Sequence, residues 1–206
     1  MKKVAPEVLS SLESAIRKLE SASSAEVVVE VRARSGTWAH ADARVAGAFA
    51  FIGLLVLLFS PWHFTPLWVA IDVVLLYAAG HFVARHTDTL RRFLTSRRER
   101  NQTVRTAAAA LFYERGIANT RSETGVLLYL SILERRMELI ADRGVLKAVP
   151  ALEWNQLVAR IHDDGNADLS TLSTIITELH RLLADRLPCN EENPDELASA
   201  PRFEQE

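Results

Sequence analysis

The chain has 206 residues, a formal net charge of −2 and 49% hydrophobic residues. That length sets an expectation of one domain with appended segments, and charge this close to balance names no partner, so no nucleic acid is expected. The single cysteine, Cys189, excludes an internal disulfide and fits a reducing compartment.

Local charge is less even. The segment from Arg85 to Arg115 carries Arg91, Arg92, Arg97, Arg98, Arg100 and Arg105 as well, against only Asp88, Glu99 and Glu114. Beyond Pro188, Glu191, Glu192, Asp195, Glu196, Glu204 and Glu206 face Arg202 alone. A basic middle and an acidic tail are surfaces with different jobs.

In chain order, Val8, Leu12, Ile16 and Leu19 form one helical stripe, and Pro6 suits the first turn of that helix. No apolar signal core precedes it, so no secretory peptide is expected. "AEVVVEVRAR", Ala25 to Arg34, is rich in β-branched residues and reads as a strand covered on both faces, as in a parallel sheet.

Two apolar runs follow, with spans at about residues 45–62 and 66–84, joined by "PWHFTP". Each is close to the ~20 residues that cross a bilayer as a helix. A membrane hairpin is favoured over a buried soluble one, because the runs have so few polar breaks. Trp62 and Trp68 suit the headgroup level. Arg44 precedes the first span, Arg85 and its followers come after the second, and the turn has no arginine. Both chain ends are therefore expected on the cytoplasmic side. Asp72, the one charge in the second span, is favoured as a hydrated residue near the outer interface over a functional group in lipid.

The segment from His81 to Arg115 lacks Gly and Pro, so the second span and the arginine-rich stretch are expected to run on as one helix, stopped at Gly116. Arg85, Arg91, Arg92, Arg97 and Arg98, with Trp62 and Trp68, are the lipid-contact candidates. A solvated face that only sets topology is the equal alternative.

"GVLLYLSILERRMELIADRG", Gly125 to Gly144, has a first half too short to span a membrane and a second half that alternates, with Ile140 out of pattern. It reads as two strands joined tightly at Glu134–Arg135. Pro150 and "ALEWNQLVARIH" start a helix with Leu152, Leu157 and Ile161 as its apolar positions, and Trp154 reads as a core anchor. Asp168 caps a last helix with Leu172, Ile175, Ile176, Leu179, Leu182 and Leu183 inward. The acids of "DDGNAD" suit that cap better than a calcium loop, whose twelfth ligand would fall on Ile175. The tail, residues 188–206, reads as acidic and loosely held.

"SETGVLLYLSILERRMELIADRGV", with the "AEVVVEVRA" strand and the "LEW" helix start, resembles the TPM domain family. The closing "LADRLPCNEENPDELASAP" is similar to the tail of a bacterial membrane subgroup of that family. The resemblance implies an α/β fold: a small mixed β-sheet sandwiched by helices, with the two-helix transmembrane hairpin inserted in the first β-α-β crossover. On that reading residues 1–40 are the first helix and strand, 41–85 the hairpin, 86–187 the rest of a cytoplasmic domain, and 188–206 the tail. "SET" stands where many relatives have an Asp-Asn pair.

This order expects the hairpin turn near the bilayer and puts Glu123 and Asp142 together at the far edge of the sheet. These two are the only metal candidates, for Ca²⁺ or Mg²⁺ through oxygen ligands, and strand and turn roles are favoured over a metal site. No P-loop, nucleophile elbow, zinc-protease or C-x-x-C motif is present. TPM relatives include proteins assigned acid phosphatase activity and others that act in photosystem II repair or modulate a receptor. The favoured reading is a non-enzymatic, membrane-anchored interaction or assembly module with a protein partner. Its expected site is the bacterial inner membrane, multi-pass, with both termini cytoplasmic. A metal-dependent phosphatase and an acidic-lipid-binding module are the alternatives.

Overall fold

The computed structural model describes residues 6–163, 167–189 and 202–204. In chain order these form α1 (Pro6–Ala22), β1 (Glu26–Arg32), α2 (Ala39–Phe59), α3 (Pro66–His86), α4 (Asp88–Leu94), α5 (Arg97–Glu114) and a short 3-10 turn (Ile117–Asn119). Then come β2 (Gly125–Ser131), β3 (Arg136–Ala141), α6 (Arg143–Ala148), α7 (Ala151–Asp163), α8 (Leu169–Arg186) and β4 (Arg202–Glu204). The protein is a mixed α/β chain. It divides into two units, Met1–Gly36 with Arg100–Glu206, and Thr37–Glu99.

The first unit holds one mixed sheet in the order β3-β2-β1-β4. β1 and β2 run parallel in continuous register from Glu26↔Gly125 to Arg32↔Ser131, and β3 returns antiparallel to β2. β4 pairs parallel with Glu30–Arg32. The acidic tail therefore contributes a strand that its composition did not announce; the outer edge of β1 offers the unpaired backbone groups that it meets. The remainder of the tail, residues 190–201 and 205–206, lies outside the described residues.

Period-two alternation divides the apolar residues of β1, β2 and β3 between two clusters. Val27, Val29 and Val31 of β1 and Val126, Leu128 and Leu130 of β2 pack with Leu12, Ile16 and Leu19 of α1 and with the inward faces of α7 and α8. Val28, Leu127 and Tyr129 pack instead with Val104, Ala108, Leu111 and Phe112 of α5. Ile140, out of pattern in the sequence, belongs with this second cluster, while Met137 and Leu139 join the first. Each such buried aliphatic side chain contributes about 1.5–3 kcal/mol over exposure.

Three local expectations are corrected. Leu152 of α7 is exposed, and Trp154 joins Leu157 and Ile161 on the buried face. The reason is spacing: 154, 157 and 161 follow the three-and-four rule, and Leu152 lies two residues off that stripe. The β2–β3 hairpin closes through a four-residue loop, Ile132 to Arg135, rather than a tight pair. Arg135 takes the left-handed conformation (φ 51°) that lets its N–H reach the Ile132 carbonyl at 3.3 Å.

The third correction concerns the expected single long helix. It is broken twice, into α3, α4 and α5. Thr87 leaves the helical region (φ −121°, ψ 89°), and so does Thr95 (φ −109°, ψ 133°). Thr95 Oγ1 donates to the Arg91 carbonyl at 2.8 Å and closes α4. Ser96 and Glu99 then form a capping box: the Ser96 N–H donates to Glu99 Oε2 at 2.9 Å and the Glu99 N–H donates to Ser96 Oγ at 3.1 Å. The Ser96 N–H, and after it the Ser96 hydroxyl, which donates to Oε2 at 3.1 Å, hold the Glu99 carboxyl below its ordinary range. Gly116 stops α5 as expected, in the left-handed region at φ 69°.

Asp168 caps α8 through N–H donors of Ser170 and Thr171, both at 2.9 Å. The Ser170 hydroxyl, at 2.6 Å, is the largest cause of its lowered carboxyl pKa. A lowered folded-state pKa means stability that is present above the ordinary carboxylate range and lost as pH falls through the folded value. Asp168→Ala is expected to cost about 1 kcal/mol near neutrality. That difference should shrink in acid below about pH 4, as urea midpoints across pH would show.

Candidate functional site

Glu123 and Asp142 do lie at one edge of the sheet. The Asp142 N–H donates to the Gly125 carbonyl and the Gly144 N–H donates to the Glu123 carbonyl, both at 2.9 Å. Gly144 has to be glycine here, since a Cβ would stand 2.6 Å from the Ser122 and Glu123 carbonyl oxygens. The chain turns into β2 with Glu123 in the left-handed region (φ 54°).

The side chains do not converge on a shared cation. Glu123 faces Arg143 at 3.5 Å and Lys147 at 3.7 Å. Asp142 Oδ1 accepts the Arg143 N–H at 2.7 Å and so caps α6, a helix absent from the sequence reading; its Oδ2 is enclosed without a hydrogen-bond partner. Among the described residues no group of three or more His, Cys, Asp or Glu could hold a metal. A hard cation such as Ca²⁺ takes six to eight oxygens. Millimolar Ca²⁺ or Mg²⁺ is therefore expected to leave the thermal midpoint unchanged; a rise abolished by Glu123→Gln would reinstate the site.

A second polar constellation gave no local signal in the sequence. At the C-terminal ends of β1 and β2, Glu134 is almost fully enclosed. Its carboxylate accepts the Ser35 N–H at 3.2 and 3.3 Å and the Ser131 hydroxyl. Ser35 Oγ lies 2.8 Å from both Ser131 Oγ and the Tyr129 hydroxyl. Burial pushes the Tyr129 hydroxyl pKa up, partly offset by its Ser35 bond. Backbone bonds from Ile132 N–H to the Arg32 carbonyl (3.0 Å) and from Leu133 N–H to the Ala33 carbonyl (2.9 Å) extend the same clasp. It is a structural lock on the segment that leaves β1.

A groove of about 960 Å³ runs along β3, flanked by Arg105 and Tyr113 of α5, Leu146 of α6 and Trp154 of α7. β3 is an edge strand of the sheet. Because Asp142 donates inward to Gly125, alternation turns the backbone groups of Met137, Leu139 and Ala141 outward. An edge of this kind accepts an added strand.

In the second unit, α2 and α3 pack antiparallel. Gly53 abuts Leu76, and Gly80 lies against Ala46 and Phe49, where an added Cβ would be 2.8 Å from Phe49 Cβ. Small residues let the backbones approach in this way. Among the described residues these two helices are long and apolar enough to cross a membrane, and only 17% and 11% of their apolar windows is buried. The buried positions, Ala41, Asp42, Val45, Ala46, Gly80 and Ala84, gather at the α4 end of the pair.

Of the lipid-contact candidates, Trp62, Trp68, Arg85, Arg97 and Arg98 are exposed and Arg92 is half-buried. Arg91 is the exception and is corrected. It is buried, with Nε donating to Asp42 Oδ1 at 2.8 Å and Nη2 to Oδ2 at 2.7 Å. A guanidinium committed in this fork is not available to a headgroup. Asp42, at 49 residues' separation, is the partner that sequence reasoning missed.

No protein-family model matches the chain, and no curated protein matches it. Among solved structures the chain is similar to the NMR structure of BA42 protein from the psychrophilic bacterium Bizionia argentinensis sp. nov.. The likeness covers 98% of this chain and 97% of that one, at 15% identity and a TM-score of 0.56. At that identity the likeness concerns the fold alone.

Proposed function

We propose that the protein is a membrane-anchored interaction or assembly module of the bacterial inner membrane, with both termini cytoplasmic. The observation that carries this reading is the exposed apolar surface of α2 and α3, each 21 residues long. At 1.5 Å per residue, such a helix is about 31 Å long, the thickness of a hydrocarbon core. Arg44 and Arg85 stand at the buried end of the pair and no arginine stands in the turn between them, which supports the cytoplasmic assignment of that end. In this reading the first unit is a TPM-like sandwich, its helices covering both faces of the sheet, and the hairpin is an insertion in the β1-to-β2 crossover. The β1–β2–β3 order supports the kinship.

The groove along β3 is where a partner docks, as an extended segment that pairs with the outer edge of the strand. A metal-dependent phosphatase using Glu123 and Asp142 is the weaker reading, since Arg143 and Lys147 already flank the Glu123 carboxylate.

Two measurements test the proposal. Carbonate should fail to extract the full chain from membranes, and reporters fused at His63 and after Glu206 should report opposite sides. Carbonate release or a C-terminus outside the cytoplasm overturns the anchoring. Photo-crosslinkers replacing Tyr113 and Leu146 in cells should trap one defined protein that a crosslinker at exposed Leu152, off the groove, does not. Equal trapping at all three, or none, overturns the docking assignment.

A further inference from the structure

α4 sits at the base of the apolar pair and is pinned there. Arg91 reaches Asp42 in the first turn of α2 with two hydrogen bonds of 2.7 and 2.8 Å. Arg44 Nη1 donates to the Leu94 carbonyl at 3.4 Å, a second tie from α2 to the far end of α4. With Arg91 held inward, Phe93 is turned out and is 86% exposed, the most exposed large apolar residue among those described. Exposed cations bracket it in sequence: Arg85 closes α3, and Arg97 and Arg98 open α5. Two acids oppose them on the segment, Asp88 and Glu99, and the Glu99 carboxylate is turned onto Ser96 in its cap.

We infer that α4 is an interfacial foot: Phe93 enters the headgroup–acyl boundary while Arg85, Arg97 and Arg98 engage the phosphates of anionic lipids. The inference rests on the membrane reading of α2 and α3 and names the lipid chemistry that their base takes. An apolar ring flanked by arginines is the composition that partitions into an anionic interface. The foot adjoins the α2–α3 pair, so its occupant is the same leaflet that pair enters. The two helix breaks supply the necessary geometry, because a continuous α3–α5 helix would carry residue 93 away along its axis. Arg91, the one arginine of α4 that is fully withdrawn, acts by positioning the foot and touches no lipid.

The test uses the full chain with Cys189→Ser, so that one introduced cysteine carries an environment-sensitive fluorophore. Labels at Phe93→Cys and, as an internal reference, at Val56→Cys are compared in vesicles of phosphatidylcholine alone or with phosphatidylglycerol, containing nitroxide lipids. The label at 56 should be quenched by acyl-chain nitroxides in both vesicles. The label at 93 should be quenched by headgroup-proximal nitroxides, at least twofold more with phosphatidylglycerol. Arg97→Gln with Arg98→Gln should remove that gain while leaving 56 unchanged. Quenching at 56 with none at 93 overturns the foot and leaves the hairpin standing. Equal quenching at 93 in the two vesicle types overturns its anionic selectivity. No quenching at either position overturns both the foot and the membrane reading.

Discussion

Asp42→Ala is expected to be the most damaging single change in the second unit, costing about 3–5 kcal/mol. The carboxylate and the Arg91 guanidinium have side chains only 8% exposed, and they meet in a two-bond fork. Removing the acid leaves a cation enclosed with its two strongest acceptors gone. The loss is that of an uncompensated charge, which exceeds the net worth of the pair. It follows that replacing both partners should hurt far less than replacing one. Asp42→Leu with Arg91→Met should recover most of the stability, because it removes the desolvation penalty along with the attraction. Arg91→Lys should fall between, since an ammonium keeps the charge and loses the fork. Thermal unfolding in mild detergent, with hydrogen exchange of the α4 amides, separates these cases. An Asp42→Ala protein that unfolds at the parent midpoint would show that the pair does not clamp the base.

What could be read ahead of the structure follows from where each kind of information sits in a chain. Apolar periodicity is local, so the stripe of α8, the doubly buried β1 and the two apolar runs were all legible. Val27 and Val28 announce a strand with two covered faces because each points into a different cluster. The break before α5 is also written locally, in the Ser-x-x-Glu box at Ser96–Glu99, whereas the absence of Gly and Pro from His81 to Arg115 points to one continuous helix. A capping box can end one helix and start the next without either residue. Leu152 misled for a related reason: its composition is apolar, while its phase on α7 is wrong.

Polar partnerships are a different matter. Ser35 and Glu134 are 99 residues apart and Asp42 and Arg91 are 49 apart. Nothing in a single sequence marks which acid will be enclosed or which arginine will turn inward. Arg91 and its neighbour Arg92 look alike as residues of a basic run, and tertiary packing alone separates the buried one from the half-buried one. The acidic rim shows the opposite error in kind. Strand order correctly brought Glu123 and Asp142 to one edge, yet the cations that occupy Glu123 come from α6, a helix of 6 residues without a strong periodic signal.

Glu134→Ala should be the corresponding large loss in the first unit, about 2–4 kcal/mol, because one carboxylate satisfies several enclosed donors at once. Truncation orphans the Ser35 N–H and the Ser131 hydroxyl, and through Ser35 Oγ it loosens the Tyr129 hydroxyl. Tyr129→Phe removes only the end of the chain and should cost about 1 kcal/mol. The members act as a network, so their effects should not add. A cycle of Glu134→Gln and Ser131→Ala is expected to show a coupling of about 1–2 kcal/mol, against near-additivity for Glu134→Gln with Asp142→Ala, at the other end of β3. The consequence extends beyond stability. Ser35 lies just before the boundary at Gly36, where the chain passes from the first unit to the second. The hairpin loop holds that exit through two backbone bonds as well as the carboxylate. Loss of Glu134 should therefore raise hydrogen exchange at residues 33–36 before the global transition, while the core amides of β2 stay protected. Exchange that rises uniformly across the sheet would instead mean that Glu134 supports the fold as a whole and is no specific lock on the segment leading into α2.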